Sequence, residues 1–154
     1  MISQREILLA RLDEHQAKAL AVIRRGDDLL APCAEPDPGL LSRSRWELTR
    51  ILAAYQAFKH HELFNPIIRN GPPDKARLAE QMKRECEAMG AEFLEHVARC
   101  TNLDIAAHWS SYRPAVVALL AKVKAHMARE RWVADSLLLA RPAEPLPIRA
   151  AAGA

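Results

Sequence analysis

Residues 73–100 read PDKARLAEQMKRECEAMGAEFLEHVARC, and along them Met82, Cys86, Met89, Phe93, Val97 and Cys100 recur at spacings of three and four. Side chains three and four residues apart share one face of an α-helix, so this run predicts a helix with a single apolar stripe. Pro73 suits its first turn, where a missing amide leaves no bond unmade. Just before it, Asn70-Gly71-Pro72-Pro73 stops an earlier helical pattern that runs from about Leu40 to Arg69. That pattern carries Leu48, Leu52, Tyr55, Lys59 and Glu62 in one stripe, with Ile51 and Phe58 beside it. Pro66 removes a backbone donor and is expected to kink or loosen its last turn, after Leu63-Phe64-Asn65.

Farther upstream, Ser3 to Leu30 places Leu8, Leu12, His15, Ala19 and Val22 on one face, and the linker Pro32 to Gly39, with three Pro, lets the chain turn back. Downstream, a turn through Thr101 to Ser111 is expected to hold a helical piece around Asp104 to His108. A fourth helix is expected to begin near Pro114, capped by Ser110 or Ser111, and to run to about Leu139. The expectation is an all-α protein, one domain over residues 1–140, folded as an antiparallel up-down-up-down four-helix bundle. Residues 141–154, rich in Pro and Ala, are expected to be irregular.

Composition agrees with long helices. Half of the 154 residues are apolar and only five are Gly. The net charge of +3 arises from 22 basic and 19 acidic residues interleaved along the chain, so no single-sign field favours nucleic acid. Arg43, Arg45 and Arg50 around Trp46 form the densest basic run, and with Glu47 among them they read as a solvated helix face. The opening Met1-Ile2-Ser3-Gln4-Arg5-Glu6 is charged where a secretory signal needs an apolar core, and no stretch approaches the roughly 18 apolar residues of a membrane span. The expectation is a cytoplasmic protein without a membrane partner. Cys33, Cys86 and Cys100 lack CxxC spacing and read as free thiols. No nucleophile, base and orienter stand at recognisable spacing, and there is no Gly-rich phosphate loop, so no enzyme is expected. Trp109, Trp132 and Tyr112 mark where a homodimer or protein partner would touch.

Chemistry is suggested by His15, in the middle of an apolar stripe, and by His126 and Glu130, four apart on the last helix. Bundles that bind metals use this spacing, because two side chains of one helix then converge on one ion. A His in the first helix, Leu63-Phe64-Asn65-Pro66 closing the second and HxxxE in the fourth resemble the hemerythrin-like HHE domains, over about Leu8 to Leu139. The resemblance implies a four-helix bundle that holds a non-haem di-iron centre through His and carboxylate side chains.

On that resemblance His15 matches the first-helix histidine, and His126 with Glu130 the fourth-helix pair. The second helix departs from the family pattern HxxxEExxLFP: with its LF on Leu63-Phe64, Tyr55 takes the histidine position and Lys59 the first carboxylate position. Cys86 stands in the third-helix histidine position. A cation where the family has an anionic ligand is hostile to iron, so an intact di-iron centre is not expected, and Lys59 is expected to pair with Glu130 or Glu62 instead. His61 or Glu62 would replace lost ligands if the Pro66 kink shifts the helix. Glu92 and His96, also four apart, lie beside the third stripe and are expected to face solvent.

The function expected is a sensing, regulatory or binding module with a decayed di-iron site and no cofactor. The alternative is a single iron or zinc ion held by His15, His126 and Glu130 with Cys86, His61 or Glu62.

Overall fold

In a computed structural model, which describes residues 1–139, the regular elements are all helical: α1 Gln4–Leu29, α2 Pro38–Phe58, a π-helical segment Lys59–Phe64, α3 Asn65–Asn70, α4 Pro73–Cys100 and α5 Trp109–Leu138. The tail expected over 141–154 lies outside the described residues. Because α2, the π segment and α3 follow without a break, the elements form four long rods.

Local chemistry sets the ends of the rods. Ser3 and Glu6 exchange side-chain and backbone hydrogen bonds at 3.1 and 2.8 Å, a capping box that starts α1. Asp37 accepts from the Leu40 amide at 3.1 Å and Pro38 occupies the first turn, so α2 begins two residues before the expected Leu40. The loosening expected at Pro66 takes a definite form. The Asn65 amide donates to the His60 carbonyl, five residues back, and the wide π turn precedes α3, whose first turn holds Pro66. In a tight α-helix the proline ring would press on the carbonyl four residues earlier, and the wider turn relieves that clash.

The start of α5 corrects the sequence reading. Neither Ser110 nor Ser111 is the cap: the amides of Ser111 and Tyr112 both donate to the His108 carbonyl, at 3.1 and 2.8 Å, and the helix starts at Trp109 with Pro114 inside it. Pro114, the sixth residue of the helix, lies past the amides that go unbonded in a first turn and removes one backbone bond to the preceding turn. The expected helical piece around Asp104 to His108 is a turn, in which the Asp104 side chain accepts from the Ala107 amide at 3.2 Å.

Each rod packs on the next along the chain, and α5 packs on α1. The apolar stripes meet in one core containing Leu12, Ile23, Phe64, Met82 and Val133, all almost fully buried. Truncating one such leucine or isoleucine to alanine costs about 2–5 kcal/mol. The α4 stripe is buried as expected, with Met89 half-buried, but His96 is buried beside it rather than solvent-facing. Glu92 is half-buried and pairs with Lys122 at 2.7 Å. Arg45 is also buried, although Arg43 and Arg50 form the solvated face expected of that run. Of the three aromatic residues expected at a partner contact, Tyr112 is buried, Trp109 packs against the core, and Trp132 is 68% exposed. The three cysteines are free thiols. No helix among the described residues is long and apolar enough to cross a membrane.

Candidate functional site

Glu130, on the core face of α5, is only 3% exposed, and five other polar side chains from all four rods meet in the network around it. Its Oε1 accepts from the Tyr55 hydroxyl at 2.8 Å. Its Oε2 accepts from the Cys86 thiol at 2.7 Å and from the Lys59 ammonium. His126 Nε2, one turn earlier on α5, lies 2.9 Å from the same oxygen but out of line for a hydrogen bond. On the far side of Tyr55, the Gln16 amide of α1 donates to the phenol oxygen and to the Met127 carbonyl, each at 2.8 Å.

Helical spacing builds this cluster. Tyr55 and Lys59 are four apart at the junction of α2 with the π segment, and the Lys59 ammonium lies 4.0 Å from the Tyr55 ring centroid as well as 3.5 Å from Cys86 Sγ. His126 and Glu130 are four apart on α5. Lys59 is 4% exposed, so a buried cation and a buried anion neutralise each other in the middle of the bundle. Either charge alone would be strongly destabilising there.

Electrostatics follow from that pairing. Burial by itself would raise the Glu130 pKa, but the contact with His126, the charge of Lys59 and the Cys86 thiol outweigh it and hold the carboxyl down to about 2. Burial pushes the Cys86 thiol well above its ordinary range, only partly opposed by Lys59, so Cys86 is a protonated donor rather than a reactive thiolate. Burial and the neighbouring Glu130 likewise raise Tyr55.

Against the polar cluster lies a cavity of about 390 Å³ between α2, α4 and α5. Small residues make the room: Ala53 of α2 and Gly90 of α4 take part in its lining, with Leu52, Met89 and Phe93 as apolar walls. Lys59, His126 and Glu130 close its polar end. The size is that of a small-molecule pocket.

Of the residues singled out in the sequence, Cys86, His126 and Glu130 come together, their ligand atoms all within 4.8 Å of one another. Lys59 pairs with Glu130, and Tyr55 binds the same carboxylate. His15 does not join them. It is half-buried, its ring stacked 5.0 Å from Phe58 and 5.6 Å from Tyr55, and burial, then Lys18 and Arg11, lower its pKa. His61 is exposed, and Glu62 is exposed in a bidentate pair with Arg11, with one contact at 2.9 Å. Gln16 was not singled out by the sequence reading. Gln16 stands four and three residues from Leu12 and Ala19, and His15 three and four, so spacing fits either of them on the core face, and the structure buries Gln16 there.

These side chains do not fit a pair of irons. Three ligand atoms converge, and an ammonium occupies the oxygen of the carboxylate that a metal would need. What fold and site define together is an all-α protein with a buried ion pair at its centre and a cavity beside it. No family model matches the chain, and no curated protein or solved structure does.

Proposed function

We propose that the chain is a hemerythrin-like bundle whose di-iron site has decayed, and that it works in the cytoplasm as a non-catalytic sensing, regulatory or binding module. The observation that carries the reading is Lys59 seated on Glu130, a fixed organic cation in the position where a metal would bind that carboxylate. The adjoining cavity is then the pocket through which a ligand acts, its apolar walls taking the body of a small molecule and the polar end orienting it.

An antiparallel up-down-up-down arrangement is part of the proposal, and chain lengths support it. α1 has 26 residues and rises about 39 Å, whereas the connections Leu30–Asp37 and Thr101–His108 could span about 28 Å fully extended, and Gly71-Pro72 far less. Connections this short support a reversal of direction between successive rods that pack side by side. Trp132, exposed on α5, supports a contact with a second copy or another protein.

The test is elemental analysis with a visible spectrum, on protein purified without a histidine tag, for wild type, His126→Ala and Lys59→Glu. The reading expects no stoichiometric metal in wild type or His126→Ala, and a gain of metal when Lys59→Glu restores an anionic ligand. About two irons per chain with an oxo-bridge absorption band in wild type would overturn it.

A second reading is favoured by the convergence of Cys86, His126 and Glu130, a sulfur, nitrogen and oxygen set suited to one zinc or iron ion once Lys59 moves aside. It expects about one ion per wild-type chain, lost in His126→Ala.

A further inference from the structure

Ten residues before Tyr55, about 15 Å along α2, lies a second buried cation with none of Lys59's partners. Arg45 is 8% exposed, and its Nε is buried without a hydrogen-bond partner among the described residues. Among the described residues its side chain makes one polar contact, from Nη1 to the Tyr112 hydroxyl, at the long distance of 3.5 Å. Among the described residues no carboxylate pairs with it. A guanidinium taken out of water needs a countercharge far more than a neutral phenol can supply.

Beside Arg45 the structure leaves a cavity of about 40 Å³, lined by Ser44, Arg45, His96 and Tyr112 among apolar side chains of all four rods. The volume admits one small ion or a few water molecules, each water needing about 10–15 Å³ of such space. Sulfate would bring a second negative charge that the single guanidinium leaves unbalanced. The hydroxyl of Tyr112 accepts from Arg45, and its own proton meets no acceptor among the described residues, so it is available to an anion. His96 adds no second charge: burial, then Arg45 and Arg99, lower its pKa, and its ring nitrogens lie 3.6 and 3.7 Å from the Cys100 thiol.

We propose that this cavity is a binding site for one small monovalent anion of the halide class, held by the Arg45 guanidinium and the Tyr112 hydroxyl. One buried positive charge in a space for one small particle sets both the valence and the size. The anion neutralises Arg45 as Glu130 neutralises Lys59, except that it comes from solution and leaves with it. Core packing at this end of the bundle would then depend on the anion in the medium. The inference is independent of any metal at Glu130.

The experiment is thermal unfolding of the full chain as sodium chloride replaces sodium gluconate at fixed ionic strength, gluconate being too large for the cavity. Wild type is expected to gain several degrees in chloride, because a ligand of the folded state alone stabilises by mass action. Arg45→Met should show the same midpoint in both salts, and Tyr112→Phe should keep only part of the gain. Chloride-35 NMR on wild type supplies a readout that needs no Arg45 variant: line broadening is expected, relieved by iodide. Equal midpoints in the two salts without broadening would mean that the cavity holds only water, and would overturn the proposal. A gain of undiminished size in folded Arg45→Met would overturn it too, by placing the chloride elsewhere.

Discussion

Lys59 and Arg45 are both cations buried on the same helical rod, and the bundle treats them in opposite ways. Lys59 meets a carboxylate, a thiol and an aromatic face, and Glu130 in turn is bonded on both oxygens. Arg45 meets one phenol at 3.5 Å and leaves its Nε bare. Burial alone therefore does not say what a charge does. A charge whose partner is built into the chain works as a structural pin, and one whose partner is missing makes its surroundings responsive to whatever supplies it.

The largest effect that separates the two comes from deleting the partner that exists. Glu130→Ala leaves Lys59 buried and unpaired and is expected to cost about 3–5 kcal/mol in urea denaturation. Arg45→Met, measured in gluconate, should cost nothing or stabilise the fold, since it deletes an unpaired charge and keeps the bulk. A loss under about 1 kcal/mol in Glu130→Ala would erase the distinction.

Acid should reveal the same difference. The folded pKa of Glu130, about 2, lies below its ordinary 4.5, so between those values the unfolded chain binds more protons and stability rises with pH. The contribution is fully present above about pH 4.5 and lost as the pH falls through about 2, a change of about 3 kcal/mol. Denaturation midpoints measured across that window should fall steeply for wild type and flatten in Glu130→Gln. A wild-type profile as flat as the variant's would show that the carboxylate is not held by its neighbours.

Replacing both members of the pair is expected to be milder than losing one. Lys59→Met with Glu130→Leu removes both charges and should recover most of the loss, to within about 2 kcal/mol of wild type. Failure to recover would mean that the Tyr55 and Cys86 bonds to Glu130 matter more than the ion pair. The smallest effect belongs to the surface, where Arg131 bridges Asp13 of α1 and Asp135 of α5 at 2.6 Å each. Asp13→Asn should cost less than about 1 kcal/mol, and the difference should vanish in high salt.

Much of the helical layout is legible in the sequence, because stripes with spacings of three and four and breakers such as Asn70-Gly71-Pro72-Pro73 act locally. The pairing of Lys59 with Glu130 could also be anticipated, as one of two partners, since a buried cation needs an anion and carboxylates are few on the core faces. Arg45 was obscured by its neighbours Arg43 and Trp46, which make the segment read as solvated, although Leu41, Arg45, Leu48 and Leu52 continue one stripe. Gln16 and His15 show the same limit: adjacent residues differ by about 100° of rotation, and a stripe of small and large side chains does not say which of two neighbours faces inward. The cavities were not legible at all, because voids arise where rods from distant parts of the chain fail to fill the space between them.

The π-helical segment has a consequence for phase. A turn closed by bonds five residues apart holds one residue more than an α turn. Removing one residue from 60–62 would make the rod a continuous α-helix and would rotate everything before it by about 100° relative to Pro66 and α3. Tyr55 and Lys59 would swing away from Glu130 while Leu63 and Phe64 kept their seats. The segment thus works as a spacer between two halves of a rod, each with its own angular setting. Positions counted back from Leu63-Phe64 along an uninterrupted helix fall one step of rotation away from where this chain places its own side chains.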